Sequence, residues 1–148
     1  MACPASPEAE SRAHVSKVSK TVLLVDDSAA IRDVVKIYLM GLPFEFLEAE
    51  SAERGMSMLG VMPVDLVIAD VKLPGMNGID FVKRVRAHDL LRVRKVPLVL
   101  LTGQTSDAVR TEGMVAGADA VLNKPINSAA ILPLVHRLLP DVPAPVLD

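Results

Sequence analysis

The sequence contains few of the residues that characterise several classes of protein. It has one cysteine, Cys3, among 148 residues, which excludes an internal disulfide framework and a cysteine-cluster zinc site. Tryptophan is absent and aromatic residues make up 3% of the chain, so we expect no base-stacking platform for single strands. No apolar run approaches the roughly 20 residues of a membrane span, and residues 1–20 lack the apolar stretch of a signal peptide. We therefore expect a cytoplasmic protein that does not contact a membrane.

The charges are almost balanced. Sixteen Lys and Arg residues against eighteen Asp and Glu residues give a formal net charge of −2 at pH 7. This balance provides no overall positive potential, so we expect no direct binding of nucleic acid. Hydrophobic residues make up 51% of the chain, which is enough for a substantial core and excludes wholesale disorder.

Composition divides the chain into one domain and two tails. Residues 1–20 are small, polar and charged, which predicts a disordered N-terminal tail. Residues 140–148 contain three prolines and predict a proline-rich, frayed C-terminal tail. Residues 21–139 have the usual size of a single domain.

Short apolar runs alternate with helical patterns through this domain. Several runs are continuous, which is typical of parallel strands buried on both faces. The predicted strands cover residues 21–25, 44–49, 65–69, 97–101 and 120–122, and the predicted helices cover residues 31–39, 51–59, 79–87, 106–116 and 128–139. This alternation predicts an α/β fold, a doubly wound, five-stranded parallel sheet with five helices.

Local chemistry predicts the caps of two helices and a distortion in the last one. Ser28 or Asp27 can cap the first helix, and Ser51 is the expected cap of the second. Pro133 conflicts with the last helix, because proline lacks an N–H and clashes with a preceding carbonyl. We expect that helix either to start late, near Ala130, or to kink at Pro133.

Polar side chains follow four of the five predicted strands. Asp26 and Asp27 follow the first, Asp70 the third, Thr102 the fourth and Lys124 the fifth. Taken singly, the two adjacent aspartates would be an ordinary turn or helix cap. Ligands of open parallel sheets bind outside the carboxyl ends of the strands, near the point where chain winding reverses. The five side chains together therefore predict a site.

The residue types at this site favour phosphoryl transfer. Three carboxylates held close together repel one another, and a hard divalent cation such as Mg²⁺ relieves that repulsion through oxygen ligands. A lysine neutralises a bound phosphoryl group as a point charge, and a hydroxyl donates a hydrogen bond to it. The set suits transfer of a phosphoryl group to a carboxylate, which forms an aspartyl phosphate.

Four motifs resemble a known family. They are VDDS at 25–28, IADVKLPGMNG at 68–78, LTG at 101–103 and GADAVLNKPI at 117–126. In this order they resemble the receiver domain of two-component response regulators, over roughly residues 20–139. The resemblance implies a flavodoxin-like, CheY-like strand order, 2-1-3-4-5.

The resemblance also implies a set of metal ligands. Asp70 would accept the phosphoryl group and contribute to the Mg²⁺ site. Asp27 would bind Mg²⁺ directly and Asp26 through water, and the backbone carbonyl of Lys72 would be a further ligand.

Three positions are expected to contact the phosphoryl group or respond to it. By resemblance, Thr102 would hydrogen-bond the group, Lys124 would pair with it, and the Lys124–Pro125 bond would be cis. Val121 stands where the family usually has Tyr or Phe, three residues before the lysine. We therefore expect activation through Thr102 and residues 103–107 rather than through an aromatic ring.

The resemblance implies a stand-alone signalling module that is not an enzyme, although such modules can catalyse their own dephosphorylation. A sensor histidine kinase or a phosphotransfer protein would phosphorylate Asp70. An unknown output protein would then contact the face made by the fourth helix, fifth strand and fifth helix. Residues 140–148 are too few for an effector domain. Two alternatives stay open: a phosphate sink or phosphorelay intermediate, and an interaction domain that does not switch.

One basic stretch lies outside the predicted site. Its cations are Lys83, Arg84, Arg86, Arg92, Arg94 and Lys95. We interpret the stretch as a solvated helix face and loop rather than a docking patch for an acidic partner or nucleic acid.

Overall fold

A computed structural model describes residues 19–103 and 106–142 of the chain. The strands are β1 (Lys20–Val25), β2 (Phe44–Ala49), β3 (Leu66–Asp70), β4 (Leu98–Thr102) and β5 (Ala120–Asn123). The helices are α1 (Ala29–Tyr38), α2 (Ala52–Val61), α3 (Gly78–Arg86), α4 (Leu91–Arg94), α5 (Asp107–Ala116) and α6 (Ser128–Leu138). Every predicted strand and helix is present. The sixth helix is α4, whose four residues are too few to show a helical period in the sequence.

All five strands are parallel, in the order β2-β1-β3-β4-β5. Side chains of alternate strand residues point to opposite faces. Leu23 and Val25 therefore belong to a core packed against α2, α3 and α5, while Val22 and Leu24 belong to a core packed against α1 and α6. The doubly wound prediction is confirmed. The chain winding reverses between the neighbouring strands β1 and β3, so the predicted site lies at this position.

The helix ends follow the local sequence, with one correction. The hydroxyl of Ser28, rather than Asp27, caps α1, and the hydroxyl of Ser51 caps α2. Of the two alternatives for the last helix, the late start near Ala130 is wrong, because α6 begins at Ser128 and runs through Pro133, and the kink at Pro133 stays a prediction. The side chain of its N-cap, Asn127, accepts a hydrogen bond from the backbone N–H of Ala130, which satisfies one of the free donors at the helix start.

The two predicted tails lie mostly outside the described residues. Residues 1–18 and 143–148 are not among them. At the described ends, the Lys20 Nζ atom lies 2.9 Å from Asp141 Oδ2, and Val142 is 3% exposed. The first residues of the predicted C-terminal tail therefore pack on the domain. Within the part of the chain that the structure describes, no helix has the length and apolarity to cross a membrane.

The interpretation of the basic stretch as a solvated surface is wrong for Arg86 and Arg94, which are partly buried, while Arg92 is exposed as that interpretation expected. All three arginines contact the backbone of other segments. Each donates hydrogen bonds to backbone carbonyl oxygens. Arg92 binds carbonyls around the end of α2, Arg94 binds the carbonyl of His88, and Arg86 binds carbonyls at the ends of α4 and α5 and before β4. These guanidinium groups satisfy carbonyls that helix ends leave without partners.

Candidate functional site

The site lies at the edge of the sheet where the parallel strands end. Asp26 follows β1, Asp70 is the last residue of β3, and Thr102 is the last residue of β4. The backbone N–H of Lys124 donates to the Thr102 carbonyl at 2.8 Å, which continues the β4–β5 pairing by one residue. The register of neighbouring strands thus places the side chains that follow them side by side.

Three carboxylates gather at this edge. One oxygen each of Asp26, Asp27 and Asp70 lies within 4.8 Å of the others. Asp26 and Asp70 are 3% and 6% exposed, whereas Asp27 is exposed. The cluster therefore consists of two buried acids and one acid that reaches solvent.

Lys124 brings its ammonium group into contact with the two buried acids. Its Nζ atom lies 3.0 Å from Asp70 Oδ2 and 3.6 Å from Asp26 Oδ2. The positive charge offsets part of the repulsion between the carboxylates. The structure thus brings together four of the residues predicted from the strand ends, Asp26, Asp27, Asp70 and Lys124.

Burial has the largest effect on the pKa of Asp26. Loss of water around the carboxylate raises the pKa of Asp26, and the hydrogen bond that its Oδ1 accepts from the Ser28 N–H at 2.9 Å opposes the rise. The negative charges of Asp70 and Asp27 also raise the pKa of Asp26, while Lys124 lowers it. The buried Oδ2 accepts no hydrogen bond from the residues that the structure describes.

Neutralising Asp26 is expected to stabilise the metal-free protein. A raised pKa in the folded state means that ionised Asp26 costs folding free energy at neutral pH, and this cost disappears as the pH falls below the folded-state pKa. We expect Asp26→Asn to raise the melting temperature at pH 7 by about 3–6 °C, corresponding to about 1 kcal/mol. The gain should shrink as the pH falls toward 3.8, the ordinary pKa of an aspartate.

Thermal unfolding without magnesium measures this effect. Asp27→Asn is the matched control, because Asp27 is exposed and its neutralisation relieves less desolvation. The assignment is contradicted if Asp26→Asn melts no higher than the wild type at pH 7, or if its advantage grows as the pH falls.

The donor set suits a hard divalent cation. All three groups offer oxygen, their ligand atoms are within 4.8 Å of one another, and a buried oxygen of Asp26 has no hydrogen-bond donor among the described residues. Mg²⁺ prefers oxygen ligands and keeps several of its waters. The geometry therefore fits the predicted cation.

Three further predicted positions have defined surroundings. The Lys72 N–H donates to Asp70 Oδ1 at 3.2 Å, while the Lys72 carbonyl as a metal ligand stays a prediction. Thr102 is 2% exposed, and its hydrogen bond to a phosphoryl group also stays a prediction. The predicted cis bond between Lys124 and Pro125 is confirmed.

Val121 lies beneath α5 and is 2% exposed. A Cβ atom at Gly113 would lie 3.0 Å from Val121 Cγ2, so the helix packs closely against this side chain. The Arg110 Nη1 atom donates to the Val121 carbonyl at 2.8 Å. Backbone and side chain of Val121 are therefore both held by α5.

Gly78 supports the site, a role that the sequence did not reveal. Its N–H donates to the Val71 carbonyl at 2.8 Å, and a Cβ atom at Gly78 would lie 2.2 Å from the Asp70 carbonyl oxygen. The sequence signals are its place at the end of the motif at 68–78 and its position at the start of a helix, after the Asn77 cap, where helix formation does not require glycine.

Arg32 also supports the site from a distance in sequence. Its Nη1 atom donates to the Asp26 carbonyl, and its Nε atom donates to Glu48 Oε1 at 2.7 Å. Lys36 and then Arg32 lower the pKa of Glu48, so this carboxylate stays charged and holds the guanidinium. Arg32 thereby joins the end of β1 to β2, a contact that no local pattern predicts.

Comparison with known families agrees with this geometry. The family model described as the response regulator receiver domain matches residues 22–136. The phosphate regulon transcriptional regulatory protein PhoB of Pseudomonas aeruginosa is 30% identical over 122 residues, which cover 82% of this chain and 52% of that protein. The response regulator GtcR of Aneurinibacillus migulanus is 31% identical over 110 residues, covering 74% of this chain and 43% of that protein. The chain thus spans about half the length of these curated relatives.

Solved structures show the same fold. A putative response regulator from Chloroflexus aurantiacus superposes with a TM-score of 0.77 at 31% identity, covering 82% of this chain and 98% of that one. The chemotaxis response regulator CheY4 of Vibrio cholerae superposes with a TM-score of 0.73 at 32% identity, covering 81% and 98% of the two chains. With the family match over residues 22–136, these likenesses show that the chain belongs to the receiver domain family of two-component response regulators.

Proposed function

We propose that this chain is a phosphorylation-dependent signalling module of the cytoplasm, with residues 21–139 as its working unit. Asp70 receives a phosphoryl group from a sensor histidine kinase or a phosphotransfer protein. The observation that carries the proposal is the position of the Asp70 carboxylate, 6% exposed and within 4.8 Å of two further carboxylates. The Lys124 ammonium group, 3.0 Å from Asp70, adds a cation suited to phosphoryl oxygens.

The transfer step needs little from the protein beyond position and charge. An oxygen of Asp70 attacks the phosphorus of a phosphohistidine, the phosphorus–nitrogen bond breaks, and the imidazole leaves with the electron pair. Lys124 balances charge on the phosphoryl oxygens, and the Thr102 hydroxyl donates a hydrogen bond to one of them.

The proposed cation site consists of Asp26, Asp27, Asp70 and the Lys72 carbonyl. When bound there, Mg²⁺ supplies positive charge to the phosphoryl oxygens. Burial of Asp26 and its hydrogen bond from Ser28 hold one of these carboxylates in a fixed orientation before any ligand arrives.

We further propose that an output protein contacts the face formed by α5, β5 and α6. Here α5 and α6 are the fourth and fifth helices predicted from the sequence. Thr102 ends β4 and α5 begins at Asp107, while residues 104 and 105 of the connection between them lie outside the described residues. A hydrogen bond from Thr102 to the phosphoryl group would shift this connection and the helix that follows. Val121 has no ring to turn, and Gly113 of α5 packs against it, so the backbone carries the response.

Addition of an acyl-phosphate mimic with magnesium tests this function. We expect amide shifts in NMR spectra concentrated at residues 102–108, with the χ1 rotamer of Val121 unchanged, because a β-branched side chain is stiff. The matched control is Asp70→Asn under the same conditions, which should show no such shifts. A large response at Val121 beside a static segment 103–107 would contradict the proposed switch.

The absence of an aromatic ring at Val121 is the observation that favours the alternatives. A phosphate sink or phosphorelay intermediate would use the same acidic site but would lose its phosphoryl group without gaining an output partner. An interaction domain that does not switch would show no amide shifts beyond the residues around Asp70. The NMR experiment with the acyl-phosphate mimic therefore distinguishes the proposed switch from the non-switching alternative. Partner binding that depends on phosphorylation distinguishes it from the phosphate sink.

A further inference from the structure

The segment between β3 and α3, residues 71–77, carries the Lys72 carbonyl that we propose as a metal ligand. Its first half is anchored by Leu73, which is 9% exposed and belongs to the core packed against α2, α3 and α5. Its second half, residues 74–77, is exposed or half-buried. The path of the second half therefore depends on contacts at the surface.

Glu53 of α2 contacts this second half. Its Oε2 atom accepts a hydrogen bond from the backbone N–H of Met76 at 3.3 Å, across 23 residues of sequence. The same oxygen would lie 3.0 Å from a Cβ atom at Gly75, whose backbone is left-handed with φ 75°. One carboxylate thus lies against two consecutive residues of the segment.

The turn at Gly75 needs such a contact to stay in one conformation. Glycine adopts positive and negative φ about equally well, so its own backbone does not hold the turn. The hydrogen bond from Met76 to Glu53 favours the observed conformation, and a charged acceptor makes that bond stronger than a neutral one would. Glu53 is itself held in the first turn of α2, whose start is capped by Ser51.

We propose that Glu53 is a positioning residue for the magnesium site, because it fixes the turn at Gly75 and thereby the backbone that carries the Lys72 carbonyl. This inference rests on the proposed function, in which that carbonyl is a metal ligand. Residues that orient a ligand without touching the metal commonly change metal affinity by about 10–100-fold when they are replaced. The contact of Glu53 is exposed and acts through the backbone, so we expect an effect below that range.

Two other roles of Glu53 predict different results. A negative charge in the first turn of a helix stabilises the helix, and this role would change stability but not magnesium affinity. Attraction between the carboxylate and the cation through space would depend on the charge alone. Glutamine separates this attraction from positioning, because it removes the charge but keeps an oxygen that can accept the hydrogen bond from Met76.

Magnesium titration of the unphosphorylated full chain, followed by NMR at an ionic strength of about 0.15 M, tests the proposal. We expect Glu53→Ala to weaken magnesium affinity at least about threefold and Glu53→Gln to weaken it less than about twofold. The amide proton of Met76 should shift upfield in Glu53→Ala before any metal is added, because its N–H loses an acceptor. Phosphorylation of Glu53→Ala by a small-molecule donor should slow at limiting magnesium and recover at saturating magnesium.

Glu50→Ala is the matched control. Glu50 is exposed, lies directly before the Ser51 cap and forms no ion pair with any residue in 19–103 or 106–142. Its replacement removes the same charge without the contact to Met76, so magnesium affinity should change less than about twofold.

The proposal is overturned if Glu53→Ala binds magnesium as tightly as the wild type, or if Glu53→Gln is weakened as much as Glu53→Ala. A wild type that binds no magnesium and accepts no phosphoryl group would overturn the proposed function, and this inference with it. The two failures are distinguishable, because the first appears only in the variants and the second already in the wild type.

Discussion

Replacing Asp70 with asparagine is expected to abolish phosphorylation of this protein. Asparagine keeps the shape of the side chain but lacks the carboxylate oxygen that attacks phosphorus. Incubation with a small-molecule phosphodonor and magnesium should add one phosphoryl group to the wild type and none to Asp70→Asn, as measured by intact mass. The effect is complete because, in the proposed mechanism, no second group supplies the nucleophile.

A distant acid provides the control for this experiment. Asp89 is exposed and forms no ion pair among the described residues, so Asp89→Asn should be phosphorylated like the wild type. Unchanged circular dichroism of Asp70→Asn shows that the fold is retained. A phosphoryl adduct that persists in Asp70→Asn would move the acceptor to another residue, and Asp26 and Asp27 would be the next to replace.

Adding a single methyl group at Gly78 is expected to damage both the fold and the site. The new Cβ atom would lie 2.2 Å from the Asp70 carbonyl oxygen and 2.8 Å from Val71 Cα, and both neighbours are backbone atoms that cannot rotate away. We expect Gly78→Ala to lower the free energy of unfolding by about 1–3 kcal/mol, the usual cost of overpacking. Urea unfolding measures this change.

The clash in Gly78→Ala should also slow phosphorylation of Asp70. Because the clash bears on the backbone of Asp70, its carboxylate would move relative to Asp26 and Lys124, and a shift of about 1 Å can cost about 100-fold in rate. We expect phosphorylation by a small-molecule donor to slow at least about tenfold under conditions where Gly78→Ala is folded.

Gly60 provides the matched control for Gly78. It lies within α2, and a Cβ atom there would meet nothing within 4 Å. Gly60→Ala should stabilise the protein by up to about 1 kcal/mol through helix propensity, without changing phosphorylation. Equal stability and equal phosphorylation of Gly78→Ala and the wild type would show that the backbone of Asp70 is not confined by Gly78.

Local sequence was sufficient to predict the positions of the strands and the acids that follow them. The apolar runs before Asp26 and Asp70 are continuous, and continuous runs indicate strands buried on both faces. A residue at the end of such a run lies at the end of the strand wherever the strand is placed in the sheet. The gathering of Asp26, Asp27, Asp70 and Lys124 followed from this rule, because all parallel strands end at one edge.

Contacts between distant segments could not be predicted in this way. Nothing near Gly78 in the sequence shows that the Asp70 carbonyl lies against it, because the contact forms only when α3 packs on β3. Arg86 was interpreted as part of a solvated face, yet it binds the Gly117 carbonyl, 31 residues away. A charged residue on a helix looks the same in sequence whether it contacts water or a carbonyl of another element.

The sequence by itself determined the alternation of strands and helices, the cap at Ser51, and the residue types of the acidic site. These features depend on hydrophobic periodicity and on hydrogen bonds between residues a few positions apart. Only the tertiary structure decided how deeply Asp26 is buried, which direction its pKa moves, and how Arg86 joins α3 to α5. Burial and long-range hydrogen bonds depend on which elements pack together, and a local pattern of residue types does not contain that information.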